Sequence, residues 1–236
     1  MLKVNSVFGP TFQGEGKSVG MPCAFLRLAL CNLRCDWCDT KYTWSFTGRV
    51  NVDLREHYKF EDEVHSMTDE QVLKKLQEIG QKALIISGGE PLLQHKQLVS
   101  LCQKLKELDY WIEIETNGTV FPNRELINLV NQINCSPKLS NSLDPRKLRI
   151  RSQALSQLAT CQKVNFKFVI SQPEDVIEVL SFVNDYQLKE VRLMPESRTK
   201  EELIERSSWV HQLCEEHNFI FCTRLSIMTA GTIRGV

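Results

Sequence analysis

The sequence has 236 residues and a net charge of 0, with 42% hydrophobic and 25% charged residues. This length predicts one large domain, and the balanced charge argues against a nucleic-acid or membrane partner. The first residues lack the apolar run of a signal peptide, and no run approaches the length of a transmembrane helix. Because the nine cysteines have no secretory context, we expect a reducing, cytoplasmic location.

The N-terminal stretch contains two glycines in the run Gln13-Gly14-Glu15-Gly16. Glycine lets a backbone approach a ligand closely, and the Gln13 and Glu15 side chains can hydrogen-bond a planar, amide-like ring. A plain surface turn explains the same residues equally well. The stretch is therefore either a ligand contact or a turn.

Residues 23–30 form the first predicted strand, which is apolar on both faces as a buried parallel strand should be. Arg27 interrupts this strand. A buried guanidinium is costly unless it meets an anion, ideally a carboxylate held by two parallel hydrogen bonds. The partner of Arg27 is therefore either an Asp or Glu of the chain or a carboxylate on a ligand.

Cys31, Cys35 and Cys38 follow this strand at C-x3-C-x2-C spacing. Three thiolates on one tight loop can hold three corners of a cubane iron–sulfur cluster and leave the fourth iron open to a small molecule. Structural zinc sites usually combine two cysteine pairs, and no second C-x2-C or H-x3-H pair follows here. The other six cysteines are scattered singly, which argues against a disulfide framework.

Residues 41–66 mix aromatic with polar residues, and we interpret them as an insertion or lid. Thr68 and Gln71 form a capping box that predicts a helix over residues 69–80. A buried strand then runs into the turn Ser87-Gly-Gly-Glu-Pro91, whose glycines expose backbone N–H and C=O groups. Such a turn is common in βα units and is weak evidence of a ligand site by itself.

Strand and helix patterns alternate along most of the chain. This alternation predicts an α/β fold with a mostly parallel sheet, arranged as a βα barrel or part of one, in a single domain over residues 1–236. We read residues 140–150 as a loop. The predicted strands are 82–87, 111–115, 132–135, 164–170, 190–194 and 219–222, and the predicted helices are 92–108, 123–131, 151–161, 173–185 and 199–217.

Several strands carry polar residues on one face and apolar residues on the other. In a parallel barrel the outer face must be apolar because helices cover it, so the polar side chains should point inward. They would line a wet, ligand-accepting interior, or alternatively form ion pairs between neighbouring strands. The residues concerned are Arg27, Glu113, Glu115, Asn165, Lys167 and Arg192.

Taken in order, the motifs resemble those of a known family. The cysteine spacing and the SGGEP turn are typical of radical S-adenosylmethionine (SAM) enzymes, whose fold is a partial βα barrel. The whole series is similar to the 7-carboxy-7-deazaguanine synthase family, which acts in 7-deazapurine (queuosine-type) biosynthesis. The motifs are residues 12–16 (FQGEG), Arg27, residues 31–40 (CNLRCDWCDT), 87–91 (SGGEP), 115–119 (ETNGT), 135–138 (CSPK) and the terminal 234–236 (RGV).

The resemblance implies a lyase that converts 6-carboxy-5,6,7,8-tetrahydropterin to 7-carboxy-7-deazaguanine with loss of ammonia. It implies a [4Fe-4S] cluster, SAM and Mg²⁺ as cofactors, a flavodoxin-like one-electron donor and a homodimer. The protein would supply position and electrostatics for chemistry that belongs to the cofactors.

The resemblance also implies a role for individual residues. Cys31, Cys35 and Cys38 would hold the cluster, and Thr40 would bind Mg²⁺. Contacts to SAM would come from Trp37, Asp39, Gly89, Ser136, Pro137 and Lys138. Contacts to the pterin would come from Phe12, Gln13, Gly14, Arg27, Ser87, Glu115 and the carboxylate of Val236.

The segment before the terminal RGV departs from the family, because residues 226–233 read SIMTAGTI where an aromatic-Gly-Asn element is expected. Contacts from this segment to the substrate are therefore open. Two other classes of protein are compatible with the cysteine motif. They are a radical SAM activase that acts on a partner protein, and a non-enzymatic module that binds an iron–sulfur cluster.

Overall fold

The computed structural model describes residues 1–47, 58–231 and 233–235, and within these ranges nine strands form one open sheet. The strands are β1 (Leu2–Phe12), β2 (Pro22–Leu28), β3 (His65–Met67), β4 (Ala83–Gly88), β5 (Trp111–Thr116), β6 (Gln132–Cys135), β7 (Val164–Ile170), β8 (Val191–Pro195) and β9 (Ile220–Phe221). Across the sheet they are ordered β3-β1-β2-β4-β5-β6-β7-β8-β9.

Helices separate the strands along the chain. They are α1 (Phe60–Glu63), α2 (Asp69–Ile79), α3 (His95–Glu107), α4 (Arg124–Leu129), α5 (Arg146–Arg149), α6 (Ser152–Ala159), α7 (Asp175–Tyr186), α8 (Lys200–His217) and α9 (Leu225–Ala230). Short 3₁₀ helices occur at Lys41–Thr43, Pro91–Gln94 and Ser140–Ser142. In the part of the chain that is described, no helix combines the length and the apolar character needed to cross a membrane.

The predicted α/β fold with a mostly parallel sheet is confirmed. From β2 to β9 all neighbouring strands are parallel, so their carboxyl ends meet at one edge of the sheet. Among the nine described strands only β1 pairs antiparallel, with β2 on one side and β3 on the other. The sheet does not close, because β3 and β9 lie at its two edges, and the architecture is therefore a partial barrel.

The apolar face of the sheet forms the core with the helices, as the alternation of side chains predicts. On the N-terminal half, Leu84, Ile86, Ile112 and Ile114 are fully buried in one cluster with residues of α2 and α3. On the C-terminal half, β7 and β8 pack against α7 and α8 in a second cluster. Since successive residues of a strand point to opposite faces, Glu113 and Glu115 point into the barrel.

Local turn chemistry explains why α2 agrees with its prediction. Thr68 accepts a hydrogen bond from the Gln71 backbone N–H, and the Gln71 side chain accepts from the Thr68 backbone, which is a complete capping box. Gly80 ends the helix in the left-handed conformation, with φ of 79°.

Two segments differ from the sequence-based prediction. Residues 140–150 are not simply a loop, because they contain a 3₁₀ turn and the one-turn helix α5, both too short to produce a periodic signal. The N-terminal stretch forms β1, whose pairing with β2 shifts register twice, and these irregularities hide the alternation expected of a strand. Of residues 41–66, positions 48–57 lie outside the described residues, so the insertion or lid remains a prediction.

Candidate active site

A cavity of about 250 Å³ lies at the carboxyl ends of the parallel strands. It brings together every residue that the sequence assigned to a site except Pro137, which does not line it, and Val236, which lies outside the described residues. The predicted residues that line it are Phe12, Gln13, Gly14, Arg27, Cys31, Cys35, Trp37, Cys38, Asp39, Thr40, Ser87, Gly89, Glu115, Ser136 and Lys138.

The three cysteines share one loop at the wall of this cavity. The Leu33 backbone N–H donates to Cys31 Sγ at 3.4 Å, and Trp44 Nε1 donates to Cys38 Sγ at 3.4 Å. Burial raises the pKa of the Cys31 thiol to about 12. A metal that binds here must therefore displace a proton from a thiol that is neutral at pH 7.

The cysteine loop fits a cluster better than a single metal ion. Within the described ranges, no three His, Cys, Asp or Glu side chains converge as they would on one metal. A mononuclear zinc site needs four ligands on one ion, whereas each thiolate of a cubane cluster binds a different iron. Separate thiols around one cavity are the arrangement that a cluster requires.

The turn after β4 is built of glycine because the chain itself leaves no room for a side chain. A Cβ on Gly88 would lie 2.0 Å from the Leu28 carbonyl oxygen, and one on Gly89 would lie 2.1 Å from the Leu30 carbonyl oxygen. The Gly89 and Glu90 N–H groups donate to these same carbonyls, at 3.0 and 2.8 Å. No hydrogen bond from a described residue reaches the Gly89 carbonyl, so the backbone of Gly89 offers an acceptor while its N–H is already used.

Glu90 is a residue whose role the sequence did not reveal. Its carboxylate is fully buried and accepts from the Leu92 N–H at 2.9 Å, the Asn117 N–H at 2.7 Å and the Thr116 hydroxyl at 2.8 Å. Burial raises its pKa despite these donors. Glu90 thereby ties the turn after β4 to the turn after β5, both of which line the cavity.

The predicted SAM contacts include two groups of interacting side chains beside the cysteine loop. Lys138 Nζ donates to Ser136 Oγ at 3.1 Å and lies 5.2 Å from the centre of the Trp37 ring. Asp39 forms an ion pair with Arg224, which follows the last strand and was not singled out in the sequence. Burial raises the pKa of Asp39, but the charges of Arg224 and Arg27 outweigh it and lower that pKa overall.

Arg27 lines the cavity without an ion-pair partner among the described residues. Its guanidinium carbon lies 5.4 Å from the centre of the Phe8 ring and 5.9 Å from that of Tyr42. The sheet register sets Arg27 opposite Ser87 on β4. None of the ion pairs among the described residues includes Arg27, although its charge helps to lower the pKa of Asp39, so within those ranges no Asp or Glu is its direct ion-pair partner.

Thr40, the predicted magnesium ligand, lies beside the cysteine loop. Its hydroxyl oxygen is 3.6 Å from Cys38 Sγ, and its carbonyl accepts from the Thr43 backbone N–H at 2.9 Å. One hydroxyl is compatible with Mg²⁺ only if water and substrate oxygens complete the octahedron.

The floor of the cavity is a network of charged and amide side chains. Gln13 Nε2 donates to Glu113 at 2.6 Å and to Glu115 at 3.0 Å. Lys167 forms ion pairs with Glu15 and, at 3.3 Å, with Glu115. Burial alone would lower the pKa of Lys167, but the charges of Glu115 and Glu15 outweigh it and raise that pKa.

Glu113 lies below the cavity, and the pKa of its carboxyl is raised. It is fully buried, accepts from Gln13, Ser18 and Asn134, and has no ion pair among the described residues. Burial, followed by the negative charge of Glu115, raises the pKa of Glu113 to about 7. The carboxyl is therefore partly protonated at neutral pH.

The polar residues of the strands lie at different depths. Arg27, Glu115 and Lys167 line the cavity, while Glu113, Asn165 and Arg192 are buried away from it. Glu115 on β5 forms an ion pair with Lys167 on β7, but β6 lies between these strands, so this is not the ion pair between neighbouring strands that the alternative expected.

The glycines of residues 13–16 serve contacts within the chain. The Gly14 carbonyl accepts from the Leu225 N–H at 2.8 Å, and a Cβ on Gly16 would lie 2.8 Å from Asn134 Nδ2. Gly14 nevertheless lines the cavity together with Gln13 and Glu15, so the run is more than a surface turn.

Known proteins resemble the chain in sequence and in fold. A family model described as Radical SAM superfamily matches residues 28–151. A 7-carboxy-7-deazaguanine synthase of Pyrobaculum aerophilum is 34% identical over 99% of this chain and 97% of its own. One of Halobacterium salinarum is 31% identical over 96% of this chain and 89% of its own. The crystal structure of QueE from Escherichia coli has a TM-score of 0.68 at 25% identity, covering 94% of this chain and 93% of that chain.

The partial barrel and the cysteine loop at its carboxyl edge define a radical SAM enzyme, and the matching family model covers more than half of the chain. The relatives match over nearly the full length of both partners. The chain belongs to the 7-carboxy-7-deazaguanine synthase family.

Proposed function

We propose that this protein converts 6-carboxy-5,6,7,8-tetrahydropterin to 7-carboxy-7-deazaguanine with loss of ammonia, as the names of its relatives suggest. The observation that carries the proposal is Arg27. Its guanidinium lines the same cavity as the three cysteines and has no carboxylate partner among the described residues. A half-buried cation of this kind is best satisfied by two parallel hydrogen bonds to a ligand carboxylate.

When bound, the cluster and SAM would supply reductive cleavage of SAM, which provides a 5′-deoxyadenosyl radical for hydrogen abstraction. The chain would supply the ligands and the positions. Cys31, Cys35 and Cys38 would hold the cluster. The free Gly89 carbonyl suits the methionine ammonium, because an ammonium donates hydrogen bonds and a carbonyl accepts them, while the Gly89 and Glu90 N–H groups are already used.

The other residues of the cavity would orient the two small molecules. Trp37, Asp39, Ser136 and Lys138 would contact SAM, and Pro137 would shape that loop from outside the cavity. Phe12, Gln13, Gly14 and Ser87 would contact the pterin. Glu115 would accept hydrogen bonds from the pterin edge, since its carboxylate faces the cavity and is held in place by Gln13 and Lys167.

Four further expectations from the sequence belong to this proposal. They are Mg²⁺ at Thr40, a contact from the Val236 carboxylate, a flavodoxin-like one-electron donor and a cytoplasmic homodimer. Balanced charge supports the expectation that neither nucleic acid nor a membrane is a partner.

An anaerobic assay tests the proposed reaction. The cluster-reconstituted protein is incubated with dithionite, SAM and 6-carboxytetrahydropterin, with and without Mg²⁺, and the product is identified by mass. We expect 7-carboxy-7-deazaguanine in excess of the SAM consumed. SAM cleavage without this product would overturn the substrate assignment, and an intact cluster without SAM cleavage would overturn the enzyme assignment.

Matched cysteine variants separate cluster binding from general damage. Alanine at position 31, 35 or 38 should abolish the cluster's visible absorbance and the product together. Cys161→Ala provides the control, because Cys161 follows α6 and does not line the cavity. It should keep both.

A further inference from the structure

Residues 142–144 accept hydrogen bonds from the cysteine loop on both sides of Cys35. The Asp36 N–H donates to the Ser142 carbonyl at 3.0 Å, and the Arg34 N–H donates to Asp144 Oδ1 at 2.9 Å. Leu143 between them is exposed and adopts a φ of 62°, which a leucine rarely does. A strained bulky residue persists only where its surroundings fix the backbone, and here the two flanking residues are fixed to the cysteine loop.

Asp144 has one carboxylate oxygen without a partner. Only 8% of the residue is exposed, and Oδ2 is buried with no hydrogen bond to any described residue. None of the ion pairs in the described ranges includes Asp144. An uncompensated buried carboxylate is costly, so its presence beside a cofactor loop calls for a physical reason.

The carboxylate of Asp144 lies beside Cys35, because it accepts from the N–H of Arg34, the residue before this cysteine. Cys35 is also buried, with 8% of the residue exposed. In a buried site a charge is poorly screened by water, so the charge of Asp144 acts on a cluster bound at Cys35.

We propose that Asp144 is a positioning residue that lowers the reduction potential of the cluster held by Cys31, Cys35 and Cys38. The proposal rests on the proposed function. A reduced cluster carries one more negative charge than an oxidised one, so a fixed negative charge nearby disfavours reduction, and net charge is one of the levers that set cluster potentials. The reduced cluster is then a stronger donor to SAM.

The electron balance is that of the proposed reaction. One electron would pass from an external one-electron donor to the cluster and from the cluster to the sulfonium of SAM. The C5′–S bond of SAM would break, one electron of that bond would stay on the 5′ carbon, and the other would pair with the incoming electron on the sulfur of methionine. Asp144 would take no part in this transfer and would change only its driving force.

The test is a redox titration of the reconstituted holoenzyme, followed by electron paramagnetic resonance. Asp144→Asn keeps the size of the side chain and the oxygen that accepts from Arg34, and it removes the charge. We expect its midpoint potential to shift to a more positive value. We also expect SAM cleavage to slow when excess dithionite keeps the cluster of both proteins reduced, because the reduced cluster of the variant is the weaker donor, while the iron content per chain stays that of the wild type.

Asp36→Asn is the matched control. Asp36 is also adjacent to Cys35, and its loss changes the charge by the same amount, but it is exposed to solvent. Water and salt screen its charge, so its midpoint potential should stay close to that of the wild type.

The outcomes separate this proposal from the proposed function. An unchanged midpoint potential in Asp144→Asn, with a full cluster and product formation in the wild type, overturns the inference alone. A wild type that forms no product overturns the proposed function, whatever the potentials show. If Asp144→Asn holds no cluster, Asp144→Ser is titrated instead. Loss of the cluster in both variants shows that Asp144 only anchors the loop, which also overturns the inference.

Discussion

At the scale of single residues, the informative feature of Arg27 is that it has no ion-pair partner among the described residues. Its position within an apolar strand indicates that it needs an anion, but the sequence leaves open which one. In the fold its neighbours are the Phe8 and Tyr42 rings and the cysteine loop, and none of the ion pairs within the described ranges includes it. The geometry therefore favours a carboxylate on the substrate.

Replacing Arg27 should weaken productive binding of the carboxypterin. Charge-assisted hydrogen bonds are worth about 1.5–3 kcal/mol, so Arg27→Met should lower kcat/KM by roughly 10- to 100-fold. Arg27→Lys should recover only part of this loss, because lysine cannot form two parallel bonds. Steady-state kinetics measures the effect, with the cluster absorbance as the check on folding.

A tetrahydropterin without the carboxyl group provides the control for Arg27. It should bind the wild type and Arg27→Met with equal affinity, since the deleted interaction is absent from both complexes. If Arg27→Met weakens the affinity for this analogue as much as it weakens the affinity for the substrate, the proposed role of Arg27 is contradicted.

At the scale of elements, the turn after β4 combines two constraints. Its glycines lie against the backbone that leads from β2 into the cysteine loop, and its glutamate holds the turn after β5. The close packing of neighbouring strands thus requires glycine at positions 88 and 89 of the SGGEP motif. In this arrangement the Gly89 carbonyl stays available to a ligand.

Alanine at Gly88 should disrupt this packing. Its Cβ would lie 2.0 Å from the Leu28 carbonyl oxygen, and the φ of +135° adds backbone strain. We expect a loss of roughly 3 kcal/mol in the free energy of unfolding, measured by urea denaturation. Gly20→Ala is the control, because Gly20 also has a positive φ, +87°, but no atom within 4 Å of its Cβ position. It should cost only about 1 kcal/mol, and equal losses would contradict the steric explanation.

Neutralising Glu90 with glutamine should also destabilise the protein. Both carboxylate oxygens of Glu90 accept hydrogen bonds, so the amide nitrogen of Glu90→Gln would face a donor and leave it unpaired. A buried unsatisfied group costs about 2 kcal/mol. The midpoint of urea unfolding should fall accordingly. The exposed Glu125→Gln serves as the comparison, and a loss no larger than that of Glu125→Gln would refute this account.

At the scale of the whole molecule, a polar network connects the N-terminal hairpin to the centre of the sheet. Gln13 and Ser18 both donate to Glu113 on β5, and Asn134 on β6 donates to Glu113 and Glu115. The segment between β1 and β2 is thereby fixed to the floor of the cavity. As a consequence, the pKa of the buried Glu113 carboxyl is raised.

This network should make stability fall as pH rises. The pKa of Glu113 is about 7 in the folded protein, against a usual value of 4.5. Between these pH values the folded state binds a proton that the unfolded state has released, so the contribution is fully present below pH 4.5 and is lost as pH rises through 7. We expect the loss to be about 3 kcal/mol.

Glu113→Gln removes this titration. The variant mimics the protonated carboxyl, so it should match the wild type at pH 5 and exceed it in stability at pH 8. Urea unfolding at both pH values measures the difference. If the difference in free energy of unfolding between the two proteins is the same at pH 5 and pH 8, Glu113 is not the source of the pH dependence.

The sequence by itself determined the class of fold and most of the candidate site. Alternating strands and helices defined the mostly parallel sheet, because hydrophobic periodicity and caps such as Thr68 are local signals. Short motifs pointed to many residues around the cavity, because the cysteine loop and the turns at 87–91, 116–119 and 136–138 lie at the carboxyl ends of parallel strands, which meet at one edge.

Only the tertiary structure decided which distant residues act together. Arg224 meets Asp39 across 185 positions of the chain, and Gln13 meets Glu113 across 100. Asp144 lies beside Cys35, although Asp144 belongs to the segment 140–150 that was predicted to be a loop. Such contacts leave no periodic signal, because long-range packing brings the residues together and no local pattern records it.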